Sequence, residues 1–364
     1  MDFTAKLHKM KKIVIVFIIL FVNEMNSQIF IQDGLYNPYE LAANRILGSG
    51  VSISNIKFNG VLQTSANHGI NPPQDQASGF TGGLSSNLSF DDGVILTTGK
   101  ATLAQISTSN PQVSGATNAS ASPQNGDADL QMLVTQTVRN AAILEFDFVP
   151  ISNIIEFQYV FASEEYPEYS CSPYNDVFAI IISGPGISGP LNDNGMNIAV
   201  IPDPAVTGGT LPVSIANINP GEGTSDCTGD NTSYYVSNAG SSLIQFDGMT
   251  TELTGSVRNL LCGETYHLRF AIANVSDNQL DSGVMIKANS FQSLVVSLGA
   301  DQLFCNSTVN SYTLTATLNL PLTSIGPIYY NWYYNDVLQA TTTTNQYVVQ
   351  GNQGGTWKVK ITAQ

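Results

Sequence analysis

The chain has 364 residues, of which 11% are charged, and its formal net charge is −15. That acidic balance excludes nucleic acid and anionic membrane as natural partners. With 43% hydrophobic residues, 15 Tyr and 16 Phe, it is not the composition of a disordered chain. Gly, Ser, Thr and Asn stand in for the missing charge, which favours strands and turns over helices.

In chain order, the N-terminus reads as a secretory signal peptide over residues 1–27. Lys6, Lys9, Lys11 and Lys12 form a basic start, Ile13 to Val22 an apolar run, and Asn23 to Ser27 a polar end. An apolar run this short does not span about 30 Å of hydrocarbon, and no later segment is apolar enough to span. Cleavage after Ser27 removes four Lys and two acids, leaving 9 basic and 26 acidic residues, a charge of −17.

NPYELAANRIL, 37–47, predicts a short helix with Asn37 as N-cap and Pro38 in the first turn. Residues 51–58 read as a strand and 64–89 as a Gly/Asn/Ser/Pro-rich loop. FDDGVILTTG, 90–99, is a turn followed by a strand, 105–126 a second loop, and 127–138 a short helix. Strands are then dense: 144–148, 154–161, 177–183, 197–201, 212–218, 233–237, 265–272 and 283–291. The unbroken apolar run 179–182 predicts a strand covered on both faces. In TYHLRFAI, Tyr266, Leu268 and Phe270 share one face, and His267 and Arg269 the other. The fold class is mainly β: a jelly-roll-like β-sandwich over 28–292, with one or two short helices. Residues 293–364 read as a smaller Ig-like β-sandwich, with Trp332 in a strand that runs into the Asn335-Asp336 turn.

The segment FASEEYPEYSCSPYNDVF, 161–178, gathers Glu164, Glu165, Glu168 and Asp176 at a strand-to-strand turn. Clustered carboxylates repel one another, so they need a cation or solvent. Ca²⁺ takes six to eight oxygens from carboxylates, amide side chains and carbonyls. Glu164, Glu165, Asn175 and Asp176, with Asp277 and Asp281 from NVSDNQLDSG, form the candidate metal set. The plain alternative is a solvated turn whose acids cap backbone amides. Tyr166 and Tyr169, beside the acids, are candidate ligand-stacking residues for a sugar, although strand packing uses such rings more often. Four Cys in an exported chain imply disulfides, and Cys171 with Cys227 is the favoured of three connectivities. No zinc spacing and no G-x-S-x-G nucleophile elbow occurs. Glu164 and Glu165 are neighbours and so make poor paired acids for glycoside hydrolysis.

LEFDFVPISNIIEFQYVFASEEYPEYSCSPYNDVFAIIISGPGI, then NIAVIP, PVSIANINPG, FDGMTTELT and GETYHLRFAIANVSDNQLDSGVMIKANSF, closely resemble the choice-of-anchor L domain. FDDGVILTTGKA and NGDADL match its N-terminal half. The resemblance covers roughly residues 35–292. It implies a secreted or outer-surface protein, often followed by Ig-like or PKD-like repeats, and it brings no reaction with it. The function expected is a non-catalytic binding or adhesion module, Ca²⁺-stabilised, that meets an extracellular polysaccharide or protein surface. The alternatives are the non-catalytic front of a secreted hydrolase and a structural stalk.

Overall fold

The computed structural model describes residues 28–67, 75–106, 126–222, 229–240, 243–301, 311–319, 328–350 and 355–363. The segment 1–27 expected to be a signal peptide therefore lies outside the described residues.

The first strands are β1 (Phe30–Ile31), β2 (Val51–Phe58), β3 (Val61–Leu62), β4 (Ala77–Thr81), β5 (Gly93–Thr97), β6 (Val138–Pro150) and β7 (Ile154–Ser163). Next come β8 (Val177–Ser183), β9 (Met196–Asn197), β10 (Val200–Pro202), β11 (Thr210–Ser214), β12 (Tyr235–Ser237) and β13 (Gly248–Thr250). The set ends with β14 (Leu253–Arg258), β15 (Tyr266–Val275), β16 (Ser282–Lys287) and β17 (Gln292–Ser293). They form two antiparallel sheets. One runs β1-β4-β5-β16-β7-β13-β12, with β14 and β17 also on β7, and the other runs β10-β11-β8-β15-β6-β2-β3, with β9 on β8. This is the β-sandwich expected.

Strand alternation decides what each sheet faces. Phe146 and Phe148 of β6, Phe270 of β15 and Ile180 of β8 meet Phe157 and Phe161 of β7 and Val284 of β16 in one core between the sheets. Phe291 sits among these rings, 5.4 Å from Phe146, 5.2 Å from Phe148 and 5.6 Å from Phe157. Each such ring contributes roughly 1.5–3 kcal/mol by burial. The outer faces of the central strands are covered too. Val160 and Met285 pack under the Leu88–Ala104 region, and Ala179, Ile181 and Ala271 under helix α2 (Ala128–Leu133). That is why 179–182 is apolar without interruption.

Helix α1 (Pro38–Glu40) opens with a capping box: Asn37 Oδ1 accepts from the Glu40 N–H, and Glu40 Oε2 from the Asn37 N–H. It continues as a π-helical turn over Leu41–Ile46, not as a regular α-helix to residue 47. Helix α2 is shorter than expected, because Val138 already belongs to β6. β4 lies within a stretch that reads as loop. Its ASGFT sequence is small and polar, yet Phe80 is fully buried.

The remaining strands are β18 (Val296–Ser297), β19 (Ser311–Thr315), β20 (Thr317–Leu318), β21 (Ile328–Tyr334), β22 (Val337–Thr342), β23 (Gln346–Gln350) and β24 (Trp357–Ala363). They form three small sheets, β18-β20, β19-β23 and β22-β21-β24. Trp332 is fully buried, and Asn335 and Asp336 both take the left-handed conformation in the β21–β22 turn. The Trp332 cluster also contains Ile154 and Leu294. Asn319 donates from Nδ2 to Ser49 Oγ, Gln292 Oε1 and the Ser293 carbonyl, and its Oδ1 accepts from the Val295 N–H.

Candidate functional site

β7, β8, β15 and β16 bring the acids of both sequence clusters to one end of the sandwich. After β7 the Glu164 N–H donates to the Asp281 carbonyl at 3.0 Å, and the Glu165 N–H to Ser163 Oγ at 2.9 Å. Asp176, just before β8, accepts from the Val275 N–H at 2.9 Å and from the Ser282 hydroxyl at 2.7 Å. Ser282 Oγ also lies 2.9 Å from Ser163 Oγ. Asp281 reaches Thr98 and closes over Gly99, where a Cβ would lie 2.0 Å from its Oδ2. Only glycine allows that approach.

These acids are interior: Glu164, Glu165 and Asp281 are each 2% exposed and Asp176 1%. Burial, then the nearby charges of Asp281 and Asp247, pushes Glu164 up to about 9. Burial also raises Glu165 to about 9, with Asp176, Asp277 and Glu164 adding to it. Asp176 rises to about 8 by burial and by Asp281 and Asp277, against the Ser282 and Val275 hydrogen bonds. Among the described residues no Lys, Arg or His forms an ion pair with Glu164, Glu165 or Asp176. Among the described residues neither carboxylate oxygen of Glu164 has a hydrogen-bond partner.

The six expected metal ligands do not form one shell. Asn175 Oδ1 accepts from the Ala216 N–H at 2.8 Å, and Asp277 Oδ1 from the Gln279 N–H at 3.1 Å. Both are half-buried, Asn175 tied to the segment after β11 and Asp277 to its own turn. The other four are buried together, Glu164 against Asp281 and Glu165 against Asp176. Among the described residues no group of three or more His, Cys, Asp or Glu could by itself hold a metal ion.

The two tyrosines separate as well. Tyr166 is fully buried, donates to the Ile218 carbonyl at 2.5 Å and meets Tyr235 edge-on at 5.1 Å. It offers no ring face to a sugar, which corrects its assignment as a stacking residue. Tyr169 is 41% exposed and stands edge-on to Tyr174 at 5.6 Å. Cys171 is exposed, and the Cys227 proposed as its partner lies outside the described residues. Cys262 is an exposed free thiol.

Sequence reasoning missed the polar layer beneath the acids. By strand alternation Asn274 faces inward after Leu268, Phe270 and Ile272, beside Asp176 on the neighbouring strand. It is 1% exposed, and among the described residues neither end of its carboxamide has a partner. Asn140, fully buried in left-handed conformation on β6, also has no partner at either side-chain end among the described residues. Its backbone carbonyl shares Gln76 Nε2 with the Thr98 carbonyl, a link from one sheet to the other. The readable signal was an Asn where the inward stripe of β15 calls for an apolar residue.

The outer face of the second sheet holds a contrasting network. Arg269 pairs with Asp127 and Asp129, and its Nε lies 3.3 Å from Glu145. His267 lies 2.8 Å from Asp147 and 3.4 Å from Glu145, and Lys57 lies 3.5 Å from Glu145. Asp127 also caps α2. The Glu145 contact raises the His267 pKa, and the same contact lowers that of Glu145.

No helix among the described residues is long and apolar enough to cross a membrane. No curated protein matches the chain. A family model for the choice-of-anchor L domain matches residues 29–292, the extent of the two-sheet sandwich, and the chain belongs to that family.

Proposed function

We propose that the protein is a secreted or cell-surface binding module that does no chemistry of its own. It contacts an extracellular polysaccharide or protein surface through the 161–178 end of the sandwich, and Ca²⁺ orders that end. Residues 293–364 act as an Ig-like or PKD-like spacer, and a Cys171–Cys227 disulfide fixes the loop. The observation that carries this reading is the division of labour within one turn. Glu164, Glu165 and Asp176 are sealed at 1–2% exposure, out of reach of a polymeric substrate, whereas Tyr169 and Glu168 face solvent. Membership of a family defined by surface attachment supports it.

The test is binding of the purified chain to polysaccharide and matrix-protein arrays. Retention on at least one class, with Tyr169→Ala weakening it by about tenfold, is expected. Turnover of any array component that disappears in Glu165→Gln would overturn the non-catalytic reading, and absence of retention would overturn the binding one.

A further inference from the structure

We infer that a hard divalent cation of the Ca²⁺ class binds on the outer face of the first sheet, the one that contains β7, at a row of three carboxylates formed by Asp247, Glu164 and Asp281. This rests on the reading that Ca²⁺ orders the acidic end. It names the acids that hold the ion, and Asp247 lies outside the set expected from sequence.

Strand register builds the row. Gly248 and Ser282 both lie opposite Ser163, one on each side of β7. One step further along, Asp247 and Asp281 flank Glu164, and the Glu164 N–H donates to the Asp281 carbonyl at 3.0 Å. The β16–β5 register then sets Gly99 opposite Asp281. Neighbours in such a row are about 4.5–5.5 Å apart at Cα. Met249, Ala162 and Met285, an even number of residues away on the same strands, pack in the outer cluster, so all three acids point away from the core between the sheets. Ala101, Ala104, Ile244 and Phe246 belong to that cluster, and the Gln245 N–H ties its cover together by donating to the Ala104 carbonyl at 3.0 Å. Beneath it Asp247 is 3% exposed and Glu164 and Asp281 2%.

Three acids side by side on an otherwise apolar, covered face repel one another and lack water. Glu164, in the middle, points to a ligand. Among the described residues neither of its carboxylate oxygens has a hydrogen-bond partner, and no basic side chain pairs with it. Buried polar groups are nearly always partnered. Gly99 leaves room for the Asp281 carboxylate, since a Cβ there would lie 2.0 Å from its Oδ2. The charges of Asp281 and Asp247 both act on Glu164. Oxygen donors alone suit a hard cation. The cover admits an ion with its waters but no sugar or peptide. Among the described residues such acids do not complete a shell by themselves. Ca²⁺ takes six to eight oxygens, and water supplies those that the carboxylates do not.

The test uses the full chain stripped with chelator and titrated by calorimetry with CaCl₂, and with MgCl₂ in a parallel run, while thermal unfolding is followed. One ion per chain is expected, with Tm raised by about 5 °C or more at a hundredfold excess over Kd. The salt that binds more tightly names the ion. Glu164→Gln and Asp247→Asn each weaken Kd by about tenfold or more. The two near-isosteric variants lie on different strands, so the site stays testable if one of them does not fold. Glu168→Gln and Asp277→Asn leave Kd unchanged. Absence of both heat and a Tm shift with either salt in the wild type overturns the ion altogether. Binding lost in Asp277→Asn but kept in Glu164→Gln and Asp247→Asn overturns the row and leaves a Ca²⁺-ordered surface loop standing. The array experiment reads the adhesive role separately from either result.

Discussion

Two polar networks lie in different parts of the sandwich, and each concentrates carboxylates in a largely apolar protein. On the outer face of the second sheet Asp127, Asp129, Glu145 and Asp147 surround Arg269 and His267, with Lys57 at the edge. At the 161–178 end Glu164, Glu165 and Asp176 have no basic partner among the described residues. The first network carries its own basic partners, and among the described residues the second carries none. A buried carboxylate without a counter-charge must take up a proton or a cation. The comparison therefore separates acids that hold the fold together from acids that await something.

The largest expected effect that would sharpen this contrast is on pH dependence. Glu164, Glu165 and Asp176 have folded-state values raised above their unfolded ones. The stability they contribute is full below about 4.5 and is lost progressively as pH rises toward 8–9, at about 1.4 kcal/mol per pH unit for one such group. Glu145 behaves oppositely: its value is lowered, so its contribution is present above 4.5 and is lost as pH falls through the lowered value. Urea unfolding in chelator from pH 4 to 9 should show a falling alkaline limb, which the double variant Glu164→Gln/Glu165→Gln flattens. A flat limb in the wild type would break the comparison.

Second in size is Arg269→Met. It strands Asp127, Asp129 and Glu145 against one another and should cost about 3 kcal/mol at neutral pH, read as a lower urea midpoint. Third, and of opposite sign, Glu164→Gln removes a group that stays protonated when folded but ionises when unfolded. In chelator at pH 8 it should stabilise by about 1 kcal/mol or more. If both substitutions destabilise equally, the two networks are not different in kind. The smallest effect is that of Tyr169→Ala, within about 0.5 kcal/mol on stability, because the ring is largely outside the core.

Most of the sandwich was legible because its strands alternate or run apolar in the way burial demands. LEFDF extended into β6, and 177–183 is β8. Leu268 and Phe270 do face the core, and His267 and Arg269 the paired network. What escaped was governed by tertiary contact. β4 is a strand because β1 and β5 flank it, not because ASGFT favours extension. β13 was hidden in the same way: Gly248–Thr250 is only three residues long and opens on a glycine, but β7 and β12 pair with it. For the site, the acids were visible as a cluster, but a run of letters does not say whether a turn folds its carboxylates outward or inward. Their burial, and the inward Asn274 and Asn140, depend on two sheets closing over the same end.

The Asn319 junction gives the molecule a mechanical character. It clamps the C-terminal sheets to β17 and to Ser49, and Ile154 shares the Trp332 cluster. Ile154 is the first residue of β7, the strand whose far end turns into Glu164. β7 is held along both edges, by β16 and β17 on one side and β13 and β14 on the other. Tension arriving from the C-terminal sheets would thus load the middle of the first sheet in shear, where many ladder hydrogen bonds resist together. The strand under load would be the one that carries the acidic turn.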